Sequence, residues 1–516
     1  MNFQDFQSSA PSVPNVEPEV AAQIVAMQEE IAALSAKAGS LAKAAGMEGT
    51  TIVDKSSLLQ GYAGVFVVAF LMALVATPIM RRLAVKNGVI DRPSDPRKVH
   101  RMPIAYMGGV AVFIGLMAGI VYSYLATKIP GLVEFHSSTH LVDGLTHEPV
   151  PVSILLGMTL IMFTGLIDDV IGISPRVKIG GQLIAAAALA VDNVGVKLAS
   201  GILVPIAKSL GAETTLYEGV QTILLRIPLP GSIMGADSVP IDLIYWIGTA
   251  LIAISVLGLC NASNLIDGLD GLLSGTNAIS AAGLLVIALA LALTDDGPRD
   301  SQRIVLCLSL LGACLGFLPH NFNPATIFLG DAGSLLLGFT TCVIILMLGD
   351  TGKTQLVVAG LVIYAVPIMD TALAIVRRKM EGKSISAADS NHLHHMLKRS
   401  LGVKGAVLAL YGMAAAFAVL GVGISIGRAR ITYVIALILA AYIGVTAIKI
   451  ARRKVIEEQA AGFDAPVPSP ARAESVTVTA APQRRDTRAA AARFGAAPSP
   501  AEPSTPLGTA PAPADS

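Results

Sequence analysis

Five short polar clusters interrupt an otherwise apolar chain, and each carries residues able to bind charge. Asp168 and Asp169 stand in GLIDDVIGISPRVKIGGQ, at the end of the apolar stretch 153–167, followed by Arg176 and Lys178. Adjacent carboxylates there repel unless a cation or a proton is shared between them. Asn261, Asn264, Asp267 and Asp270 stand in NASNLIDGLDGLLSG. The two Asn share a helical face, and each Asp precedes a glycine that lets the backbone approach a ligand closely. Asp331 follows Gly330 in NPATIFLGDAGS, directly before a new apolar run. That position suits an N-cap with Ser334 three residues on, a divalent-cation ligand, or both. His392, His394 and His395 form NHLHH, with Arg377 and Arg378 before them and Lys398 after. Lys98, His100 and Arg101 lie in the basic loop DRPSDPRKVHRMPIAYMGG.

Each cluster has a plain structural reading as well: positive-inside charge, an Asp–Lys pair, a capped turn or a helix cap. A zinc site at the histidines is disfavoured, because no Cys is near and no HExxH spacing occurs. Taken together, hard oxygen ligands and clustered cations are what Mg²⁺ and phosphate groups require. Lys178 and Gln182 are four apart, so they present one face of the following helix to this chemistry.

The elements that carry these clusters are membrane helices. The chain has 516 residues, 53% hydrophobic and 14% charged, with a mean hydropathy of +0.67. Such a composition belongs to a membrane protein. A net charge of +1 gives no reason to expect a nucleic-acid partner. Cys260, Cys307, Cys314 and Cys342 all lie in apolar runs and read as small core residues. Residues 1–20 are polar and acidic, unlike a signal peptide.

A spanning helix needs about 20 apolar residues. Eleven candidates meet or approach that length: 61–80, 104–126, 152–168, 179–195, 243–261, 273–294, 303–319, 333–349, 355–376, 404–426 and 431–450. The stretch 196–242 reads as an extramembrane hairpin or loop between spans four and five. The expected fold is therefore an all-α integral membrane protein. Basic residues concentrate after spans one, nine and eleven, which predicts an external N-terminus and a cytoplasmic C-terminus. Three regions follow: an extension over 1–58 with an Ala-rich helix at 18–46, a membrane domain over 59–452, and a tail over 453–516 whose Ala/Pro/Ser composition predicts disorder.

Parity ties chemistry to topology. The clusters follow spans one, three, five, seven and nine, so all are expected on one face, the cytoplasmic one. A transporter would place charges near the bilayer midplane, and a scaffold would leave them unexplained. No internal repeat is visible either.

At this point the residues resemble the polyprenyl-phosphate N-acetylhexosamine-1-phosphate transferases. The resemblance covers 60–450 and rests on GLIDD, NASNLIDGLDG, NPATIFLGDAGS and NHLHH occurring together in that order. It implies transfer of a sugar-1-phosphate from a UDP-sugar to a polyprenyl phosphate on the cytoplasmic face of the inner (plasma) membrane, with release of UMP. The His-Leu-His-His pattern is similar to the GlcNAc-1-phosphate branch; the phospho-MurNAc-pentapeptide branch, with three consecutive histidines, is the alternative. Carried over by motif, Asp331 is the expected Mg²⁺ ligand, with Mn²⁺ as a substitute, and Asp168 and Asp169 lie near metal and lipid phosphate, one of them a proposed base. The resemblance puts Asn261 and Asn264 near the pyrophosphate, Asp267 and Asp270 near the nucleotide, and Lys178, His392, His394 and His395 on phosphates. Lys98, His100, Arg377 and Arg378 are expected substrate contacts. The implied partners are the UDP-sugar, the lipid phosphate and the membrane, and a homodimer is left open.

Overall fold

Within a bilayer every backbone N–H and C=O needs a partner inside the chain, so long apolar runs fold as helices. The computed structural model describes residues 55–91, 103–126, 129, 149–210, 214–217, 220–233, 236–294, 299–350, 352–380, 382, 392–427 and most of 434–449. Lys98 and His100, the helix expected over 18–46 and the tail 453–516 lie outside them.

Twelve helices are named among the described residues. They are α1 (Lys55–Lys86), α2 (Gly108–Ala126), α3 (Val152–Ile171), α4 (Pro175–Val191), α5 (Lys197–Ser209) and α6 (Leu243–Ile266), then α7 (Leu272–Thr294), α8 (Asp300–Asn321), α9 (Gly330–Gly349), α10 (Thr354–Ile363), α11 (Ala365–Met380) and α12 (Leu393–Ser425). Among the described residues, eight are long and apolar enough to cross a membrane, or nine if the bent pair α10–α11 counts as one span. The eight match sequence-expected spans one to three, five to eight and ten. Span four corresponds to α4, a 17-residue helix shorter than a full crossing. Part of span eleven is described as the short apolar helix Leu437–Thr446.

Span nine differs from its expected form. The single helix over 355–376 is broken at Tyr364, and its halves meet at 78°. Pro367 explains part of this, since in a continuous helix its ring would clash with the carbonyl of Ile363. A buried polar cluster pins the break. The Tyr364 hydroxyl bonds Ser263 Oγ of α6 (2.6 Å) and accepts from Asn277 Nδ2 of α7 (3.2 Å). Thr341 of α9 donates to Asn277 Oδ1 (2.8 Å).

The stretch 196–242 does fold back as hairpins, two of them, with a helix before them. It contains α5 and two antiparallel hairpins, β3 (Thr215–Tyr217) with β4 (Val220–Thr222) and β5 (Leu224–Ile233) with β6 (Ala236–Asp242). These are numbered after a small pair earlier in the chain, β1 (Ile90–Asp91) with β2 (Ile104–Ala105). Asp242 caps α6 by accepting from the N–H groups of Ile244 and Tyr245 (2.8 and 3.1 Å).

The centre of the bundle is α9, buried at every residue from Ala332 to Gly349. Helix association in lipid depends on close packing, and small residues permit it. Gly109 of α2 lies so close to Gly333 that an added Cβ would strike its backbone nitrogen. Gly165 of α3 stands in the same relation to the carbonyl of Asp331. Gly165→Ala is therefore expected to cost about 1–3 kcal/mol through overpacking, read as a lower melting temperature of the detergent-purified protein. Because that carbonyl belongs to a polar cluster, activity should fall as well.

Charges are buried at the far end of α9 too. Arg303 pairs with Asp300 and donates to the carbonyl of Met347 (3.1 Å), while Arg299 Nε lies 3.4 Å from Asp350. These contacts tie the start of α8 to the end of α9. All four cysteines are buried and free, as their apolar surroundings suggest.

Candidate active site

Helix α3 ends at Gly172, whose φ of +68° only glycine adopts cheaply, and Pro175 opens α4 in its first turn. This tight corner brings Lys178 back towards Asp168, and the two form an ion pair at 3.0 Å. Asp168 also accepts from the N–H of Ile173 (2.8 Å), which holds its carboxylate in the corner.

Lys178 lies where three oxygens converge. Its Nζ is 3.0 Å from Asp168 Oδ2, 3.3 Å from Asn264 Oδ1, and bonded to Asp331 Oδ2. Asn264 in turn donates to Asp331 Oδ1 (2.8 Å) and to Ser334 Oγ (2.9 Å). Residues from α3, α4, α6 and α9 thus meet at one cationic centre.

Asp169 does something different from its neighbour. Its two oxygens accept the N–H groups of Asp331 and Ala332 (2.7 and 3.0 Å), so it caps the N-terminus of α9 from another helix. Gly330, at φ +71°, makes room, since an added Cβ there would sit 2.6 Å from Asp169 Oδ2. The N-cap expected at Asp331 is therefore corrected. Asp331 lies inside the first turn, and Asp169 supplies the anion that the free N–H groups and helix dipole favour. This leaves the carboxylate of Asp331 turned to Lys178 and Asn264.

Beside this centre opens a cavity of about 760 Å³. Its walls include Asn264, Asp267, Asp270, Asp331 and His395. Asp267 makes no hydrogen bond or ion pair among the described residues. Burial, together with the carboxylates of Asp331, Asp169 and Asp270, pushes its pKa well above the ordinary carboxylate range. Asp270 is committed to the loop before α9, accepting from Asn323 Nδ2 (2.9 Å) and the N–H of Ala325 (3.0 Å). Asn261 lies one turn deeper, donating to Gln182 Oε1 (2.9 Å) and to the carbonyl of Leu257 (2.7 Å). Arg377 and Arg378 are buried on α11 and do not line the cavity.

The histidine cluster reaches the cavity through His395. His392 and His394 are buried, and the ring centroids of His394 and His395 are 4.2 Å apart. Gly268 packs on this cluster, the nearest atom to an added Cβ being His394 Nε2. Gly268→Ala is expected to displace His394 and to raise the KM of a phosphate-bearing substrate about tenfold, the equivalent of 1.4 kcal/mol. Initial-rate kinetics of the purified variant would measure this.

Sequence reasoning passed over Tyr106, Arg81, Asp91 and Asp370. The first three line the cavity. Burial first, then the charges of Asp91 and Asp169, raises the pKa of the Tyr106 phenol. Arg81 read as ordinary positive-inside charge. An Asp inside the apolar run PIMDTALAIV was the available signal for Asp370.

A divalent cation fits this donor set. Three side-chain oxygens already converge on one cation, and all are hard oxygen ligands. Residues 151–349 match the glycosyl transferase family 4 model. A probable undecaprenyl-phosphate N-acetylglucosaminyl 1-phosphate transferase of Bacillus subtilis is 32% identical over 350 residues, 67% of this chain and 80% of the relative. A decaprenyl-phosphate N-acetylglucosaminephosphotransferase of Mycolicibacterium smegmatis is 32% identical over 378 residues, covering 68% and 79%. A phospho-N-acetylmuramoyl-pentapeptide-transferase of Bacillus cytotoxicus is 28% identical over 344 residues, covering 64% and 87%.

Proposed function

The chain belongs to glycosyl transferase family 4, and on that premise we propose that it transfers N-acetylglucosamine-1-phosphate from UDP-GlcNAc to a polyprenyl phosphate, releasing UMP. The observation that carries this reading is the convergence of Asp168, Asn264 and Asp331 on one cation at the head of α9, beside a cavity walled by histidine. The peptidoglycan reaction is the second reading. His-Leu-His-His and the higher identity to the GlcNAc-1-phosphate relatives favour the first.

In the transfer, an oxygen of the lipid phosphate forms a bond to the sugar-bearing phosphorus, and the bond from that phosphorus to the UMP oxygen breaks. Both reactants are anions, so the chain must hold them together against repulsion. Asp331, Asp168 and Asn264 are the residues that would hold Mg²⁺, and Mn²⁺ is expected to substitute. When bound, the ion supplies charge neutralisation of the pyrophosphate. Lys178 provides a fixed positive charge that draws the acceptor phosphate towards Asp168 and Asp331. His392, His394 and His395 orient the donor phosphates, and Asp267 and Asp270 shape the nucleotide side of the cavity. Holding both substrates in this way supplies proximity, which is most of what phosphoryl transfer needs.

A general base is not required. The acceptor's second pKa is about 6, so it is largely a dianion at neutral pH. Asp169 is committed to the α9 terminus and Asp168 to Lys178, which supports positioning roles for both.

The parity of the clusters and the distribution of basic residues support an eleven-span topology in the inner (plasma) membrane. That topology has an external N-terminus, an active site facing the cytoplasm, a membrane domain over 59–452, and flanks over 1–58 and 453–516. The test is direct. Full-length protein in nanodiscs is given Mg²⁺, polyprenyl phosphate and, in turn, UDP-GlcNAc, UDP-GalNAc and UDP-MurNAc-pentapeptide. UMP and labelled lipid are expected with UDP-GlcNAc, lost with a chelator and restored by Mg²⁺. Product from the pentapeptide substrate alone would support the second reading, and none from any substrate would overturn both.

A further inference from the structure

The histidine cluster is organised by a residue that the transfer chemistry does not itself use. Asp370 is buried on α11, just past the break at Tyr364. Its Oδ2 lies 3.0 Å from His394 Nδ1 and 3.2 Å from His392 Nδ1. Its Oδ1 accepts the N–H of Leu393 at 2.6 Å. One side chain therefore holds three consecutive residues at the start of α12.

The chemistry of the contacts fixes their polarity. An ionised carboxylate has no proton to give, so each Nδ1 that bonds it carries a proton. The Nε2 atoms make no hydrogen bond among the described residues, and that of His394 faces Gly268 beside the cavity. The ring edge left for a ligand is therefore Nε2 in both histidines. The rings stack with centroids 5.3 Å apart, so holding one helps to hold the other. Other charged groups around the cluster are His395, Lys398 and Arg399 on α12, Asp270 at the α6–α7 turn, and Arg377 and Arg378 along α11.

The same three groups could instead ligate a metal, since one ligand atom from each lies within 4.8 Å of the others. The hydrogen-bond arrangement is favoured, because both Asp370 oxygens already have N–H donors. His–carboxylate pairs commonly act in this way to set which ring nitrogen is presented.

We propose that Asp370 is a positioning residue for the transfer reaction, clamping the Nδ1 edges of His392 and His394 so that both Nε2 edges are presented to the donor phosphates. The proposal rests on the transferase reading only in naming what the histidines contact; the clamp itself is a separate claim. It also gives the broken span a purpose. The bend at Tyr364 swings α11 aside and brings Asp370 beneath the start of α12.

The experiment uses full-length protein in nanodiscs with ring-¹⁵N histidine, of which the chain has 8. His392→Gln and His394→Gln assign the signals. The wild type is expected to show protonated Nδ1 on both rings, with loss or tautomer exchange in Asp370→Asn and recovery in Asp370→Glu. In kinetics, Asp370→Asn should raise the KM for UDP-GlcNAc about tenfold, the loss of one hydrogen bond's worth of binding, with a smaller change in kcat. Asp370→Glu should recover much of that KM. Unprotonated Nδ1 in the wild type would overturn the clamp, as would a stoichiometric transition metal that is lost in Asp370→Asn. An unchanged KM in a folded Asp370→Asn protein would overturn the positioning role. If Asp370→Asn fails to fold, the wild-type spectrum and Asp370→Glu still decide. If the wild type releases no UMP from any UDP-sugar, the transferase reading falls, while the spectrum still reports on the clamp.

Discussion

Asp331→Asn is expected to abolish transfer, lowering kcat by roughly a thousandfold or more while leaving the protein folded. The size follows from its place in the site. Its oxygens bond Lys178 and Asn264, and they are the strongest candidates to hold a divalent cation. Electrostatic stabilisation by such an ion is worth several kcal/mol, and each 1.4 kcal/mol is about tenfold in rate. Asn keeps the shape and one acceptor but removes the charge. Stability should change little, because Asp331 does not cap its own helix and its removal relieves the crowding of carboxylates with Asp267 and Asp169. The check is single-turnover kinetics beside a melting curve. A variant within tenfold of wild-type kcat would remove Asp331 from the cation site. Partial rescue by high Mg²⁺ would be consistent with weakened metal binding.

Asp169→Asn is expected to fail differently from Asp168→Asn, although the two residues are adjacent and chemically alike. Asp169 holds the N–H groups of Asp331 and Ala332. Hydrogen bonds to a charged group are worth about 1.5–3 kcal/mol each, and the helix terminus adds its own preference for an anion. Replacing the carboxylate keeps one acceptor and puts an NH₂ against a backbone N–H. A lower melting temperature and a large loss of activity should therefore appear together, and neither raised pH nor extra Mg²⁺ should restore them. Asp168→Asn loses the ion pair with Lys178 and the charge of one oxygen proposed for the cation, but no contact with the α9 terminus. Its stability should stay near wild type, and higher Mg²⁺ should recover part of its activity. Equal rescue of both variants at high pH would contradict this division and return a base role to the pair.

Much of this site was legible in the chain. The clusters are local in sequence, and a charged residue in an apolar run stands out because the cost of burying it is high. Parity then assigns the clusters to one face. The structure supports that grouping: Asp168, Lys178, Asn264 and Asp331 come from four helices and are bonded to one another. Where the sequence misled, the cause was longer-range packing. Hydropathy sees one span over 355–376, but the bend at Tyr364 depends on hydroxyl and amide partners in α6 and α7. Asp370 passed unnoticed because its partners are 22 and 24 residues away, beyond the end of its helix.

The aspartate pair marks the boundary between the two kinds of information. Composition and spacing alone determined that Asp168 and Asp169 close a membrane helix beside other acids, amides and cations, and that this chemistry suits phosphate and a hard cation. Their separate roles were decided only by the tertiary structure. Neighbouring residues on a helix point about 100° apart, so one carboxylate turns to Lys178 at the next corner while the other reaches a backbone 162 residues away. Periodicity reports which face of a helix avoids water or lipid. It carries no information about which distant N–H that face will meet.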